Sequence, residues 1–163
     1  MNDASPRPLA LHSEAVMPEW VDYNGHMNVA YYVLIFDHAT DAFLEFLNLG
    51  TEYRRQTGGS VFVVESHITY AREVMEGDSV SVSTQTLGSD AKRLHIFHRM
   101  FLSGSDVIVA TIELMILHID LNTRKVAPFP DFAETHIAKL VDCHKNLGKP
   151  QQSGRIIALP EMK

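Results

Sequence analysis

The sequence predicts an α+β domain in which one long central helix is wrapped by a five-stranded antiparallel sheet. From Val29 to Leu47, apolar residues recur at helical spacing. After residue 60 the pattern changes to four segments rich in β-branched and aromatic residues, joined by short links typical of turns. The helix has an apolar surface that needs cover, and one face of the sheet needs it too, so packing them together satisfies both.

The helix has recognisable ends. Asn28 is a suitable N-cap, because its side chain can accept a hydrogen bond from a free N–H of the first turn. Gly50 is the expected stop. The apolar positions that define the buried stripe are Tyr31, Leu34, Ile35, Ala39, Ala42, Phe43, Phe46 and Leu47.

The strands are expected to form an antiparallel meander, because the links between the last four are only a few residues long. The predicted strands are 9–16, before the helix, and 60–73, 78–89, 92–102 and 105–121, after it. A terminal helix over 131–147, a linker over 148–154 and an edge strand in "RIIALP" (155–160) complete the chain. We expect one domain over residues 1–163, with a loose tail at 1–8 and a C-terminal extension at 131–163.

Composition narrows the classes of function. The net charge of −6 argues against nucleic-acid and anionic-membrane partners, which would favour a basic surface. The N-terminal residues lack the pattern of a signal peptide, and no apolar run is long enough to cross a bilayer. Cys143 is the only cysteine, so no intramolecular disulfide can form. We therefore expect a cytoplasmic protein.

The segment directly before the helix carries the strongest functional signal. It contains Asp22, Asn24, Gly25, His26 and Asn28. A carboxylate there would lie beside the open N–H groups and positive dipole end of the helix, and Gly25 would allow a substrate to approach the backbone closely. A purely structural alternative is that these residues are only turn formers and a cap.

Four segments resemble a known family. "DYNGHMNVAYY" and "ESHITYAREVMEGDSV" are similar to the hot dog fold acyl-CoA thioesterases of the 4-hydroxybenzoyl-CoA thioesterase-like superfamily. "DAKRLHIFHRM", together with "ATIELMILHID", resembles the betainyl-CoA thioesterase branch of carnitine metabolism. The resemblance implies a hot dog fold, hydrolysis of a small acyl-CoA thioester without a cofactor, and a homodimer or dimer of dimers with its site between protomers.

The catalytic acid is left open by one departure from the family pattern. Many members carry two acids before the glycine, and Trp20 stands where the first would be. Asp22 matches the second. Thioester hydrolysis needs a carboxylate to activate water or attack the carbonyl, and donors to hold the oxyanion. The candidates for that carboxylate are Asp22, Glu19 and Glu65.

Several other residues are candidates for binding, each with a structural alternative. Lys92 and Arg93 can meet the phosphates of CoA or simply end a solvated strand. If the acyl group is a trimethylammonium, aromatic rings can hold it by cation–π attraction, or pack in the core. The rings near the polar segment are those of Trp20, Tyr23 and Tyr31, with Tyr32 favoured as a core residue.

Other chemistries are less favoured by the sequence. Glu113 is expected to be a buried, hydrogen-bonded structural acid. The spacing of His95, His98 and His118 matches no paired metal-ligand motif, so no metal is expected. No nucleophile-elbow pattern is present.

Two other functions compete with thioester hydrolysis. One is a non-catalytic hot dog protein that binds acyl-CoA without cleaving it. The other is a hot dog dehydratase, in which His26 would act with Asp37 or Asp41 on the helix. Release of free CoA separates both from a thioesterase.

Overall fold

The structure, a computed structural model, describes residues 7–159 and contains the long helix and all five strands predicted before the C-terminal extension. The helices are α1 (Val29–Phe46), α2 (Thr51–Thr57) and α3 (Asp131–His144). The strands are β1 (Leu9–Ala15), β2 (Gly59–Tyr70), β3 (Ser79–Ser89), β4 (Arg93–Leu102), β5 (Ile108–Asp120) and β6 (Lys125–Val126). Most of the predicted 1–8 tail lies outside the described residues. The single-domain assignment stays a prediction.

Helix α1 begins as predicted but ends differently. The Asn28 side chain accepts a hydrogen bond from the Ala30 N–H at 3.0 Å, which caps the first turn. The helix ends with Asn48 in a left-handed conformation (φ 57°), so the predicted stop at Gly50 is wrong by two residues. Gly50 instead precedes α2, a helix that the sequence analysis missed. A Cβ on Gly50 would lie 2.1 Å from the Glu45 carboxyl, which folds over it.

The sheet order is β1-β3-β4-β5-β2, with β6 added beside β5. The predicted meander is therefore right for β3, β4 and β5 but wrong for β2, which pairs with β5 instead of β3. The segment between β2 and β3 crosses from one edge of the sheet towards the other. At its start, the N–H groups of Ala71 and Arg72 donate to the Val109 carbonyl. Residues 155–159 form no strand, so the predicted edge strand there is wrong, and Pro160 lies outside the described residues.

The core lies between α1 and the face of the sheet that curves around it. Ile35, Phe36 and Phe43 from α1 are fully buried against strand residues such as Leu94 and Ile116. Each large apolar side chain buried in this way contributes roughly 1.5–3 kcal/mol. The predicted pairing of a long apolar helix with one sheet face is confirmed.

One polar network lies inside this core. His98 is fully buried, stacks on Phe36, and bonds Thr84 and Thr40 through its two ring nitrogens at 2.9 and 3.1 Å. The Thr40 hydroxyl donates to the Phe36 carbonyl, so it accepts from His98 Nε2–H, and His98 Nδ1 accepts from Thr84. Burial lowers the pKa of His98 from 6.5 to about 3. The neutral ring thus has both hydrogen bonds satisfied.

The C-terminal extension wraps from one face of the sheet to the other. Helix α3 places Ala133 and Ile137 in the core beside α1. Beyond it, the Glu113 carboxylate on the outer face accepts hydrogen bonds from Ser153, the Gly154 N–H and His95. Burial raises the pKa of Glu113, but these three donors outweigh it and hold the pKa below its usual value. The predicted hydrogen bonding of Glu113 is confirmed, although the residue is half-buried and not fully buried, and its structural role stays a prediction.

Candidate functional site

The polar segment before α1 folds into a tight turn. Val21 and Met27 form an isolated bridge, and the Asp22 N–H donates to the His26 carbonyl at 3.1 Å. The Gly25 N–H donates to the Asp22 carbonyl at 3.0 Å. Gly25 has φ +83°, a backbone conformation that other residues rarely adopt. Gly25 is therefore required by the turn itself.

Two hydrogen bonds attach this turn to the rest of the fold. The Met27 N–H donates to the Val74 carbonyl at 2.8 Å, and the Asn28 N–H donates to the Trp20 carbonyl at 2.9 Å. Met27 is buried and Asn28 caps α1. The turn is thus held in a fixed position over the leading end of the helix.

A cavity of about 390 Å³ opens between the turn, the start of α1 and the end of β2. From the turn and helix it is lined by Asp22, Asn24, His26, Met27, Val29 and Tyr32, and from the β2 side by Tyr70, Ala71, Arg72 and Glu73. Three predicted catalytic residues, Asp22, Asn24 and His26, therefore line one space. Gly25 and Asn28 do not line the cavity. Gly25 allows the turn to form, and Asn28 caps α1.

The two carboxylate oxygens of Asp22 differ in their hydrogen bonding. Its Oδ1 accepts the Asn24 N–H at 2.8 Å, as in an Asx-turn. Within residues 7–159, Oδ2 has no hydrogen-bond partner. The side chain is half-buried. A carboxylate oriented by one bond, with a free oxygen at a cavity, is suited to accept a proton from water or to attack a carbonyl.

The free N–H groups at this end of the helix are fewer than the sequence suggested. Those of Gly25, Met27 and Asn28 bond backbone carbonyls, and that of Ala30 bonds the Asn28 cap. Among the described residues from Asp22 to Ala30, the N–H groups of Tyr23, His26 and Val29 lack a hydrogen-bond partner. Of these three residues, His26 and Val29 line the cavity, so their N–H groups are the candidate donors for an oxyanion.

Charge in the cavity is slightly negative. The side chains of Asp22 and Glu73 are acidic and that of Arg72 is basic, so with His26 neutral the lining carries one net negative charge. Glu73 lies 3.5 Å from His26 Nε2, and their side chains are 72% and 29% exposed. At this exposure the pair positions the imidazole more than it stabilises the fold.

The aromatic residues at the cavity differ from those proposed. Trp20 is buried and stacks on Tyr31 with ring centroids 5.3 Å apart, and Tyr23 is 97% exposed. None of these three lines the cavity formed by the described residues of one chain. Tyr32 and Tyr70 do, with their rings edge to face at 5.3 Å.

Tyr32 is a core residue, as expected, although its ring reaches the cavity. Its hydroxyl donates to the Arg72 carbonyl at 3.1 Å. Burial raises the pKa of both Tyr32 and Tyr70, so both phenols are neutral near pH 7. The sequence analysis missed Tyr70, Arg72 and Glu73 as cavity residues, although they lie at the end of the predicted strand 60–73.

Glu65 and Glu19 do not reach this cavity within one chain. Glu65 pairs with Met115 and lines a different cavity with His67, His95 and Glu113, on the face of the sheet opposite α1. Glu19 is exposed in the short 3₁₀ turn before Trp20. Of the three candidate acids, Asp22 alone lies at the helix tip.

The basic pair lies far from the turn within one chain. Arg93 is level with Leu117 and Phe62, whereas Tyr70 is eight residues further along β2, a separation of about 26 Å. Arg93 is also ion-paired with Asp90 at 2.6 Å. A phosphate contact by Lys92 and Arg93 stays a prediction.

The residues of the dehydratase alternative do not come together. Asp37 lies eight residues beyond Val29 on α1, about 12 Å along the helix axis. Asp41 lines another cavity with Glu45, Gly50 and Arg54. Within the described chain, neither acid shares a cavity with His26.

None of the helices within residues 7–159 combines the length and apolarity needed to cross a membrane.

Comparisons with known proteins identify the fold and the family of this chain. A betainyl-CoA thioesterase from Pseudomonas aeruginosa is 41% identical over 95% of this chain and 98% of its own length. The L-carnitine dehydrogenase/betainyl-CoA thioesterase of Ruegeria pomeroyi is 37% identical, but the chain spans only 31% of its length. A hypothetical Staphylococcus aureus protein solved in complex with CoA is 30% identical, with a TM-score of 0.86 over 94% of this chain and 97% of that one.

These matches confirm the predicted hot dog fold. The family model described as the thioesterase-like superfamily matches residues 16–137, a range that contains the turn, α1 and strands β2 to β5. The chain therefore belongs to the thioesterase-like superfamily.

Proposed function

We propose that this protein is an acyl-CoA thioesterase that hydrolyses betainyl-CoA to glycine betaine and CoA, with Asp22 as the catalytic carboxylate. The observation that carries the proposal is that one cavity is lined by Asp22, which has a free carboxylate oxygen, and by His26 and Val29, whose N–H groups have no partner among the described residues. The name of the Pseudomonas aeruginosa relative supports the substrate.

The proposed reaction uses these groups in turn. Asp22 takes a proton from water while the water oxygen attacks the thioester carbonyl. Alternatively, Asp22 attacks that carbon itself, and the anhydride left after the thiolate departs is hydrolysed by water, which releases the acid and restores the carboxylate. The N–H groups of His26 and Val29 stabilise the oxyanion. As the intermediate collapses, the carbon–sulfur bond breaks, and the thiolate of CoA leaves and takes up a proton. His26, held by Glu73, orients the thioester at the mouth of the cavity.

The cavity also suits a cationic acyl group. In betainyl-CoA one methylene separates the trimethylammonium from the carbonyl carbon, so whatever holds the cation must lie next to the oxyanion donors. The rings of Tyr32 and Tyr70 and the carboxylate of Glu73 are in that position. Cation–π attraction and the net negative lining both favour such a group over a neutral one.

Free thiol release from an acyl-CoA panel tests this function. We expect kcat/KM for betainyl-CoA to exceed that for the neutral tert-butylacetyl-CoA, which has the same shape, by about tenfold. Tyr70→Leu should reduce the difference, because Tyr32 and Glu73 remain, and Tyr70→Phe should keep most of it because the ring face remains. No thiol release from any substrate would rule out hydrolysis, and equal rates for the matched pair would rule out recognition of the cation.

The active assembly that we propose is a homodimer joined through the outer edges of two β2 strands. β2 is an edge strand of twelve residues, and Phe62, Val63, Val64 and Tyr70 along it are 44–53% exposed. A long apolar edge of this kind is open to pairing with a second chain. Antiparallel pairing would place the Tyr70 end of one strand beside the Gly59 end of the other, and so bring the partner subunit's Arg93, two strands in from that edge, closer to the Asp22 cavity.

We expect the parent protein to sediment as a dimer. Val64→Lys would bury an ammonium in the interface and weaken association about tenfold or more. Val107→Lys, in the turn before β5, is the matched control and should stay dimeric. A parent protein that is monomeric but fully active would refute the shared site. The cytoplasmic location also belongs to this proposal, since CoA esters are made and used there.

A further inference from the structure

A cluster of potential metal ligands joins the outermost strand β1 to helix α1. The side chains are those of His12, Glu14 and His38, and the three ligand atoms all lie within 4.8 Å of one another. Glu14 Oε2 is 3.1 Å from His12 Nε2 and 2.9 Å from His38 Nδ1. Neither the proposed hydrolysis nor the core packing uses this group.

A β-bulge in β1 turns the side chains of His12 and Glu14 towards α1. The register shifts between Ala10 and His12, so that His12 pairs with Val82 and Glu14 with Val80. Both valines are buried under α1, and directly paired residues face the same way. Without this bulge the strand would turn His12 and Glu14 away from the helix.

The donor set and its spacing fit zinc. Two imidazole nitrogens and a carboxylate oxygen are ligands that zinc accepts, and three protein ligands with a fourth open position make a known type of zinc site. Bond lengths of about 2.1 Å in a tetrahedron separate neighbouring ligands by about 3.4 Å. The two nitrogen–oxygen separations of 2.9 and 3.1 Å are already near that value.

The surroundings also favour a cation. The three side chains are only 20–38% exposed, so water screens the cluster less than it would a surface group. Asp37 is next to His38 in α1, and Asp41 lies about one turn further along the helix. These two acidic side chains add negative potential near the cluster.

We propose that His12, Glu14 and His38 bind a zinc ion that fastens the edge strand β1 to α1. His38 lies nine residues after Val29, about 14 Å along the helix from the Asp22 cavity, so the ion has no part in hydrolysis. The sequence spacing concealed this site, because 24 residues separate Glu14 from His38 and only folding unites them. The structural alternative is a hydrogen-bonded triad that needs no ion.

Zinc titration of the untagged, chelator-treated protein tests the proposal. We expect one zinc per chain, and a melting temperature that rises by about 5–10 °C at a zinc concentration a hundredfold above Kd. Bound Co²⁺ should show the visible absorption of a tetrahedral site. Glu14→Gln preserves the side-chain size, and His38→Asn keeps a donor near the position of Nδ1, but both should lose the zinc-dependent rise.

His136→Asn is the matched control, because it removes an imidazole on α3 and leaves the cluster intact. It should keep the parent response. The proposal is overturned if zinc does not raise the melting temperature of the parent, or if Glu14→Gln and His38→Asn respond as the parent does. Thiol release plays no part in this readout, so failure here leaves the proposed hydrolysis standing.

Discussion

Asp22→Asn is expected to lower kcat for thioester hydrolysis by about a thousandfold while leaving the fold intact. A general base or nucleophile contributes on the order of 10²–10⁴ in rate, and asparagine can neither take a proton from water nor attack the carbonyl. The amide oxygen can still accept the Asn24 N–H that Asp22 Oδ1 accepts now, so the turn should form. Thiol release measures the rate, and a thermal melt checks the fold.

The control variants distinguish Asp22 from the other two acids. Glu19→Gln changes an exposed side chain, and Glu65→Gln changes one on the opposite face of the sheet. We expect Glu19→Gln to have parental activity. Glu65 lies on the β2 edge where the proposed partner would pair, so a large loss in Glu65→Gln would indicate that the partner subunit's Glu65 completes the site. Full activity in Asp22→Asn would remove Asp22 from the mechanism.

The sequence was sufficient for the parts of the fold that depend on local pattern. Helical spacing, the Asn28 cap and the alternation of β3 are properties of neighbouring residues, and each is present in the structure. The position of β2 could not be read in this way. Strand pairing between β2 and β5 joins residues about 50 apart, and a short link to β3 suggested a simple meander instead.

The candidate site likewise has one part formed by neighbouring residues and another formed by residues distant in sequence. Asp22, Asn24 and His26 are adjacent in sequence, and one turn brings them to one cavity. The opposite wall, Tyr70 to Glu73, comes from the far end of β2. Trp20 and Tyr31 seemed equally suited to a ligand by composition, but they stack on each other, a pairing that depends on the entry angle of the chain into α1. Aromatic content alone cannot separate a packed ring from an open one.

His98→Gln is expected to weaken the protein at neutral pH and to flatten its response to acid. At pH 7 the loss of the stacked ring and one hydrogen bond should cost about 2 kcal/mol of unfolding free energy. The pKa of His98 is about 3 in the folded protein and 6.5 ordinarily. Between pH 6.5 and about pH 3, His98 therefore binds a proton in the unfolded chain but not in the folded chain. Lowering the pH through this interval destabilises the fold.

The size of this effect follows from one proton at about 1.4 kcal/mol per pH unit, or roughly 3 kcal/mol between pH 6.5 and about pH 4. Glutamine cannot titrate, so denaturant unfolding of His98→Gln should lack this component, although the carboxylates still respond. His67→Gln, which removes an imidazole near the β2 edge, should keep the parental slope. If parent and His98→Gln lose stability in parallel as the pH falls, His98 is not held neutral in the core, and the Thr40–His98–Thr84 network does not have the proton arrangement derived from its hydrogen bonds.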